Sequence, residues 1–190
     1  MKNKESILII VVTVIVALLV GAVVTDMIQR KKELRRAPAT AQAPLPAQNE
    51  IALLLGVVEK DPQNHDAWVQ LGHAYFDSDQ PAKAVDAYGK ALELQPNDPD
   101  ILTDQGSMYQ RLGWYDQAVE NFRKAQSISP GHAQSLFNLG VVYFYDLHDL
   151  PKARQAWEKY LELYPTSPGA AQIRQELGTL DQPDPFPATK

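Results

Sequence analysis

The chain has 190 residues, enough for about one domain, and its 45% hydrophobic content is near the average for soluble globular proteins. It has no cysteine, which excludes disulfides, thiolate zinc sites, haem-attachment cysteine pairs and a lipid-anchor cysteine. The net charge of −5 is unevenly spread: residues 1–49 hold seven Lys/Arg against three Asp/Glu, and residues 50–190 hold eleven against twenty. An acidic C-terminal part repels phosphate backbones, which argues against nucleic acid as the main partner.

After a short tail at 1–6, residues 7–28 are predicted to be a transmembrane anchor. Residues 7–24 are eighteen in number, and only Thr13 interrupts their apolar character. At roughly 1.5 Å per residue that run spans about 27 Å, close to a hydrocarbon core of about 30 Å. Met27 and Ile28 extend it. A signal peptide is the competing reading, with Lys2 and Lys4 as its basic start and Val20-Gly21-Ala22 as a small-residue cleavage site. Continuation through Val23 and Val24 favours an uncleaved anchor. Arg30, Lys31, Lys32, Arg35 and Arg36 follow the span and outnumber Lys2 and Lys4 before it. By the positive-inside rule that count favours a cytoplasmic C-terminal domain. Residues 29–49 read as a linker, basic at first and then rich in proline and alanine, which suits an extended spacer.

From residue 65 onward the sequence repeats itself. Trp68, Leu102 and Leu136 are spaced 34 apart, as are Leu71, Gln105 and Leu139; Gly72, Gly106 and Gly140; and Tyr75, Tyr109 and Tyr143. Later in each unit Ala84, Ala118 and Ala153 correspond, then Tyr88, Phe122 and Trp157, then Ala91, Ala125 and Tyr160. Pro96, Pro130 and Pro165 close the units, so the repeats are 65–98, 99–132 and 133–167. The third carries one extra residue, which the spacing places in its internal turn at 146–150. Each unit is predicted to be two antiparallel helices: 65–78 with 81–94, 99–112 with 115–128, and 133–146 with 150–163. Glycine inside a helix costs about 1 kcal/mol against alanine. Gly72, Gly106 and Gly140 are therefore expected to allow close approach of the second helix, with Ala84, Ala118 and Ala153 as the small partners. The large aromatic residues are expected to fill the space between units. Pro81 and Pro151 suit the first turn of a second helix.

Two flanking segments read as caps. Residues 50–62 look like half a repeat, because Pro62 stands 34 before Pro96 and Leu54 and Val57 fall on core positions. Residues 168–180, with Ala171, Ile173, Leu177 and Leu180 among polar residues, form an amphipathic helix able to cover the end of a stack. Residues 181–190 hold three prolines and are expected to be a disordered tail.

No catalytic constellation emerges, and the chain is read as a non-enzyme with no cofactor and no small-molecule substrate. His65, His73, His132 and His148 are expected on the surface. The isolated helical glycines form no phosphate loop. Asp98-Pro99-Asp100 and Asp77-Ser78-Asp79 sit at helix ends, where Asp and Ser are capping residues in preference to calcium ligands.

Over residues 65–165 the pattern of Trp, Leu-Gly, Tyr, Ala, Phe and Pro at a 34-residue period resembles the tetratricopeptide-repeat family. Gln105 for leucine, leucine for tryptophan at 102 and 136, and Tyr160 for a small residue are its departures. The resemblance implies an all-α right-handed superhelix of antiparallel helix pairs, three repeats plus capping helices, joined to the N-terminal transmembrane helix. It implies a partner-binding concave face lined by the first helix of each unit: Val69, His73 and Phe76; Thr103, Asp104, Ser107 and Gln110; Phe137, Val141, Phe144 and Tyr145. Family members that grip a C-terminal carboxylate use lysine, arginine and asparagine there. The matching places here hold Val69, His73, Asp104, Phe137 and Val141, which would repel a carboxylate. The apolar third unit instead suits an extended peptide or an amphipathic helix.

The layout, with Trp-Val-Gln-Leu-Gly at 68–72 and Ala-Trp-Glu-Lys-Tyr-Leu at 156–161, resembles bacterial membrane-tethered tetratricopeptide proteins, including those of c-type cytochrome maturation. That implies a bacterial inner-membrane scaffold with its repeat domain in the periplasm, against the charge count above. The alternative is a structural subunit of a larger membrane complex, held by the span and the convex face.

Overall fold

The computed structural model describes residues 47–181. The expected membrane span, nearly all of the linker and residues 182–190 of the tail lie outside the described residues. Among the described residues there are eight α-helices and no strand: α1 Ala47–Lys60, α2 His65–Asp77, α3 Pro81–Leu94, α4 Pro99–Arg111, α5 Tyr115–Ile128, α6 Ala133–Val141, α7 Leu150–Leu163 and α8 Pro168–Leu180. A π-helical stretch, Val142–Asp146, continues α6. None of these helices is long and apolar enough to cross a membrane.

Local chemistry sets the helix starts. The Asn64 side chain accepts from the Ala67 N–H at 3.0 Å, and Asp98 accepts from Asp100 and Ile101 at 2.9 and 3.1 Å. Asp149 caps α7 through the Lys152 N–H. Pro81, Pro99, Pro151 and Pro168 occupy first turns, where no N–H is needed. Asp98→Ala is expected to lower stability by about 1 kcal/mol, read as a shift in the urea midpoint. An unchanged midpoint would show that the cap carries no weight.

The turn inside each unit needs one left-handed residue at an equivalent place. It is Asp79 (φ 57°), Gly113 (φ 76°) and His148 (φ 53°) in the three units. Aspartate and histidine are among the non-glycine residues that tolerate this region best.

Four expectations are corrected. First, α1 begins at Ala47, not at 50. Its Ala-Gln-Asn start contains no proline, so helix runs back as far as the end of the proline-rich stretch.

Second, the extra residue of the third unit is absorbed within its first helix, before the turn. In the first two units the Tyr75 and Tyr109 carbonyls accept from Gln80 and Trp114, five residues on, at 2.9 Å each. In the third the Tyr143 carbonyl accepts from Asp149, six residues on, at 2.7 Å, and Val142 accepts from Leu147 at 2.9 Å. The π-helical widening is how one added residue keeps these bonds.

Third, Tyr88, Phe122 and Trp157 lie inside their own units. They are the groups that approach Gly72, Gly106 and Gly140. A Cβ on Gly106 would fall 2.6 Å from the Phe122 ring. Ala84, Ala118 and Ala153 are fully buried, and at each glycine the nearest atoms belong to a flat ring. Fourth, α8 buries Ala170, Ile173 and Leu180, while Ala171 is exposed.

The apolar interior falls into two clusters. One joins α1 to α4 through Ile51, Leu54, Leu71, Tyr88 and Met108. The other joins α5 to α8 through Phe122, Leu139, Trp157 and Ile173. Gln105 takes a buried leucine-type place between them. Its amide donates to the Val85 carbonyl at 3.0 Å and accepts from Asn121 at 2.8 Å, so both ends are satisfied.

Candidate partner-binding face

The first helices of successive units lie side by side, linked by polar rungs. His73 Nε2 is 3.2 Å from Asp104 Oδ2, joining α2 to α4. Asn138 donates to Ser107 at 3.1 Å, and Gln110 donates to Asp146 at 2.6 Å, joining α4 to the third unit. His132 Nε2 is 2.9 Å from Asp100, and its Nδ1 accepts from the Ser135 N–H. The Tyr145 hydroxyl donates to Glu176 at 2.8 Å, so α8 stands where the first helix of a fourth unit would be.

Most of the eleven expected side chains are brought to this row. His73 is exposed, and Val69, Asp104, Ser107, Gln110, Phe137 and Val141 are half-buried. Phe76 is 36% exposed with the Arg111 guanidinium 5.7 Å from its ring centre, and Tyr145 is 51% exposed. Two do not reach the surface. Thr103 is fully buried and donates to the Pro99 carbonyl at 2.7 Å. Phe144 is 3% exposed and packs against Trp157 at 5.5 Å. The residues equivalent to Phe144 in the first two units, Phe76 and Gln110, are not buried. The π-helical stretch has turned Phe144 inward.

His132 is likewise not a surface residue, its side chain being 14% exposed between Asp100 and the start of α6. His65 is similarly covered. Asn138, Asp146 and Glu176 join the face beyond the eleven expected residues. Three rungs nonetheless join residues 31 apart: His73 to Asp104, Ser107 to Asn138 and Tyr145 to Glu176. That is one helical turn less than the repeat period. The 31-residue offset is the signal the sequence carries for them.

The electrostatics are local. Burial raises the Asp104 carboxyl above the usual carboxylate range; His73 opposes this, and Asp100 and Asp98 add to it. Burial, then Asp104 and Asp77, hold the Tyr88 hydroxyl well above its ordinary value. Partial burial and the Glu176 carboxylate push Tyr145 up to about 12.

Family models described as tetratricopeptide repeat match residues 65–98, 87–120 and 134–167. The helical array has the tetratricopeptide-repeat fold. The second match is framed 12 residues ahead of the unit at 99–132, running from within α3 through α4 into α5.

Among curated relatives, the small glutamine-rich tetratricopeptide repeat-containing protein 2 of Mycosarcoma maydis is 28% identical over 100 residues, covering 50% of this chain and 28% of that protein. Human protein O-mannosyl-transferase TMTC1 is 27% identical over 157 residues, covering 80% of this chain and 17% of that protein. The chain thus spans less than a third of the length of either relative.

Among solved structures, MamA superposes with a TM-score of 0.64 at 24% identity, over 68% of this chain and 74% of that one. The first tetratricopeptide domain of Spaghetti (RPAP3), bound to the HSP90 peptide SRMEEVD, gives 0.55 at 26% identity, over 61% and 97%. YrrB, described as having an unusual peptide-binding site, gives 0.63 at 24% identity, over 68% and 66%. Tetratricopeptide proteins mediate protein–protein contacts, and the RPAP3 domain holds a peptide.

Proposed function

We propose that this domain is a scaffold that holds an extended peptide or an amphipathic helix of another protein along the row of α2, α4 and α6, and that residues 7–28 tether it to a membrane. The observation that carries the reading is apolar surface on that row. Phe76 and Tyr145 stand exposed on its first and third helices, with Val69, Phe137 and Val141 partly exposed as well. Side chains so placed match the spaced pockets that extended or helical segments need. The domain is assigned no reaction.

The test is partner capture by the full chain in a mild detergent. Phe76→Ala with Tyr145→Ala is expected to reduce retained partner about tenfold or more, as loss of aromatic anchors does, with the far-ultraviolet helical signal unchanged. Undiminished capture would overturn the reading. A terminal carboxylate such as that of SRMEEVD is a poor fit, since Asp77 and Asp104 face it.

The layout and the Pro/Ala/Gln linker support a bacterial inner-membrane protein with its domain in the periplasm. A one-sided reporter fused at residue 190 tests that side. The same layout makes c-type cytochrome maturation the pathway to examine first, by asking whether apocytochrome or ligase segments co-purify. Exposed Leu53 and Leu55 on α1 support a second reading, that of a subunit held in a larger membrane complex through another surface. In that case the concave substitutions leave the complex intact and deletion of 1–28 releases it.

A further inference from the structure

Between α2 and α4 lies a depression of about 290 Å³, lined by His73, Phe76, Asp77, Tyr88 and Asp104. Liquid water takes about 30 Å³ per molecule, so there is room for a long side chain. We propose that this depression is a specificity pocket for a lysine or arginine side chain of the bound segment, an inference that rests on the binding face described above.

Its charge is one-sided. The groups acting on the Asp104 carboxyl are His73, Asp100 and Asp98, and those acting on the Tyr88 hydroxyl are Asp104 and Asp77. Nearby Arg111 is engaged with Asp79 and lies over Phe76. A partly desolvated carboxylate with acidic neighbours gains most from a cation brought close to it.

The second observation is independent of that cluster. The Tyr88 hydroxyl is buried and has no hydrogen-bond partner among the described residues. An orphaned buried hydroxyl costs about 1–3 kcal/mol. Its counterparts do not carry that cost: Phe122 has no polar atom, and the Trp157 N–H donates to the Phe137 carbonyl at 3.2 Å. Phenylalanine would fill the space at 88 as it does at 122. Tyr88 lines the acidic depression, and its unspent phenol oxygen, on which Asp104 and Asp77 act, can accept from an ammonium or guanidinium.

The repeat itself does not demand the acidity. The rung equivalent to His73 and Asp104 in the next pair is Ser107 and Asn138, both neutral. The residue equivalent to Asp77 is Arg111 in the second unit and Tyr145 in the third. At these equivalent positions negative charge stands only in the first pocket, so it selects one position along a bound segment. The occupant that fits is a separate polypeptide with one basic side chain set among apolar ones.

The test is selection of a random peptide display library on the full chain in detergent. Recovered sequences are expected to carry Lys or Arg at one fixed position, and the bias is expected to vanish on Asp104→Asn. For a recovered lysine peptide, replacing the lysine by norleucine is expected to weaken binding about tenfold by anisotropy, less so at high salt. Tyr88→Phe is expected to shrink that ratio while the protein stays folded, since unit two already uses phenylalanine there. Enrichment without a basic position, or a bias that survives Asp104→Asn, overturns the pocket and leaves the face standing. No enrichment of any sequence overturns both. Enrichment only after Arg30, Lys31, Lys32, Arg35 and Arg36 are changed to Gln would overturn the choice of a separate partner in favour of the chain's own basic stretch.

Discussion

Trp157→Ala is expected to destabilise the domain by about 3–5 kcal/mol, the range for removing a large aromatic side chain from a packed core. Trp157 is almost fully buried and has three jobs. Its ring lies against Gly140, its face packs on Phe144 with centroids 5.5 Å apart, and its N–H donates to the Phe137 carbonyl at 3.2 Å. Truncation leaves a cavity bounded by α6, the π-helical stretch and α7, three elements that the same cluster ties to α5 and α8. Little can collapse into it, because the helices on either side are held by their neighbours in the stack. The expected readout is a large drop in the thermal midpoint with early loss of the C-terminal helices. A loss under about 1 kcal/mol would mean that the cluster is not packed as described.

The second large effect is a contrast in sign. Gly140→Ala would put a Cβ well inside contact distance of the Trp157 indole. Alanine gains about 1 kcal/mol in helix propensity, but overpacking of this kind costs about 1–3 kcal/mol and more where the neighbour cannot move. The indole cannot move without losing its bond to Phe137. The net expectation is a loss of about 2 kcal/mol. Gly56→Ala, also inside a helix, meets nothing within 4 Å and is expected to stabilise by about 0.5–1 kcal/mol. Urea titration of both variants, beside Gly106→Ala as a second crowded site, checks the pair. Equal effects at 56 and 140 would show that the glycines of the first helices are not packing residues.

The repeat made most of this fold legible. Period and proline positions located the helices of all three units to within a residue or so, because each unit solves one packing problem with the same side chains. The structure differs from the expectation where a local feature departs from the period. Nothing in the composition of Val142–Asp146 announces a π-helical stretch; it follows from an added residue meeting carbonyls already committed across the turn. The same stretch hid the burial of Phe144. Thr103 was misplaced for another reason: a short polar side chain can satisfy itself on its own helix, here on the Pro99 carbonyl, and then needs no surface. The row of first helices follows from the period. Its rungs do not, since pairing between units follows the offset of neighbouring helices, while the repeat period relates equivalent positions.

The π-helical stretch also shows how such a domain can change what it recognises. The third unit carries one residue more than the first two, yet Leu139, Tyr143 and Trp157 stay in the core and its second helix keeps the full fourteen residues. The difference lies in the residues at the rim, where Phe144 is buried while Tyr145 and Asp146 meet the neighbouring helices. Length variation at that point in a unit therefore alters the surface without re-solving the fold. Arrays of this kind have a route to new specificity that substitution alone does not supply.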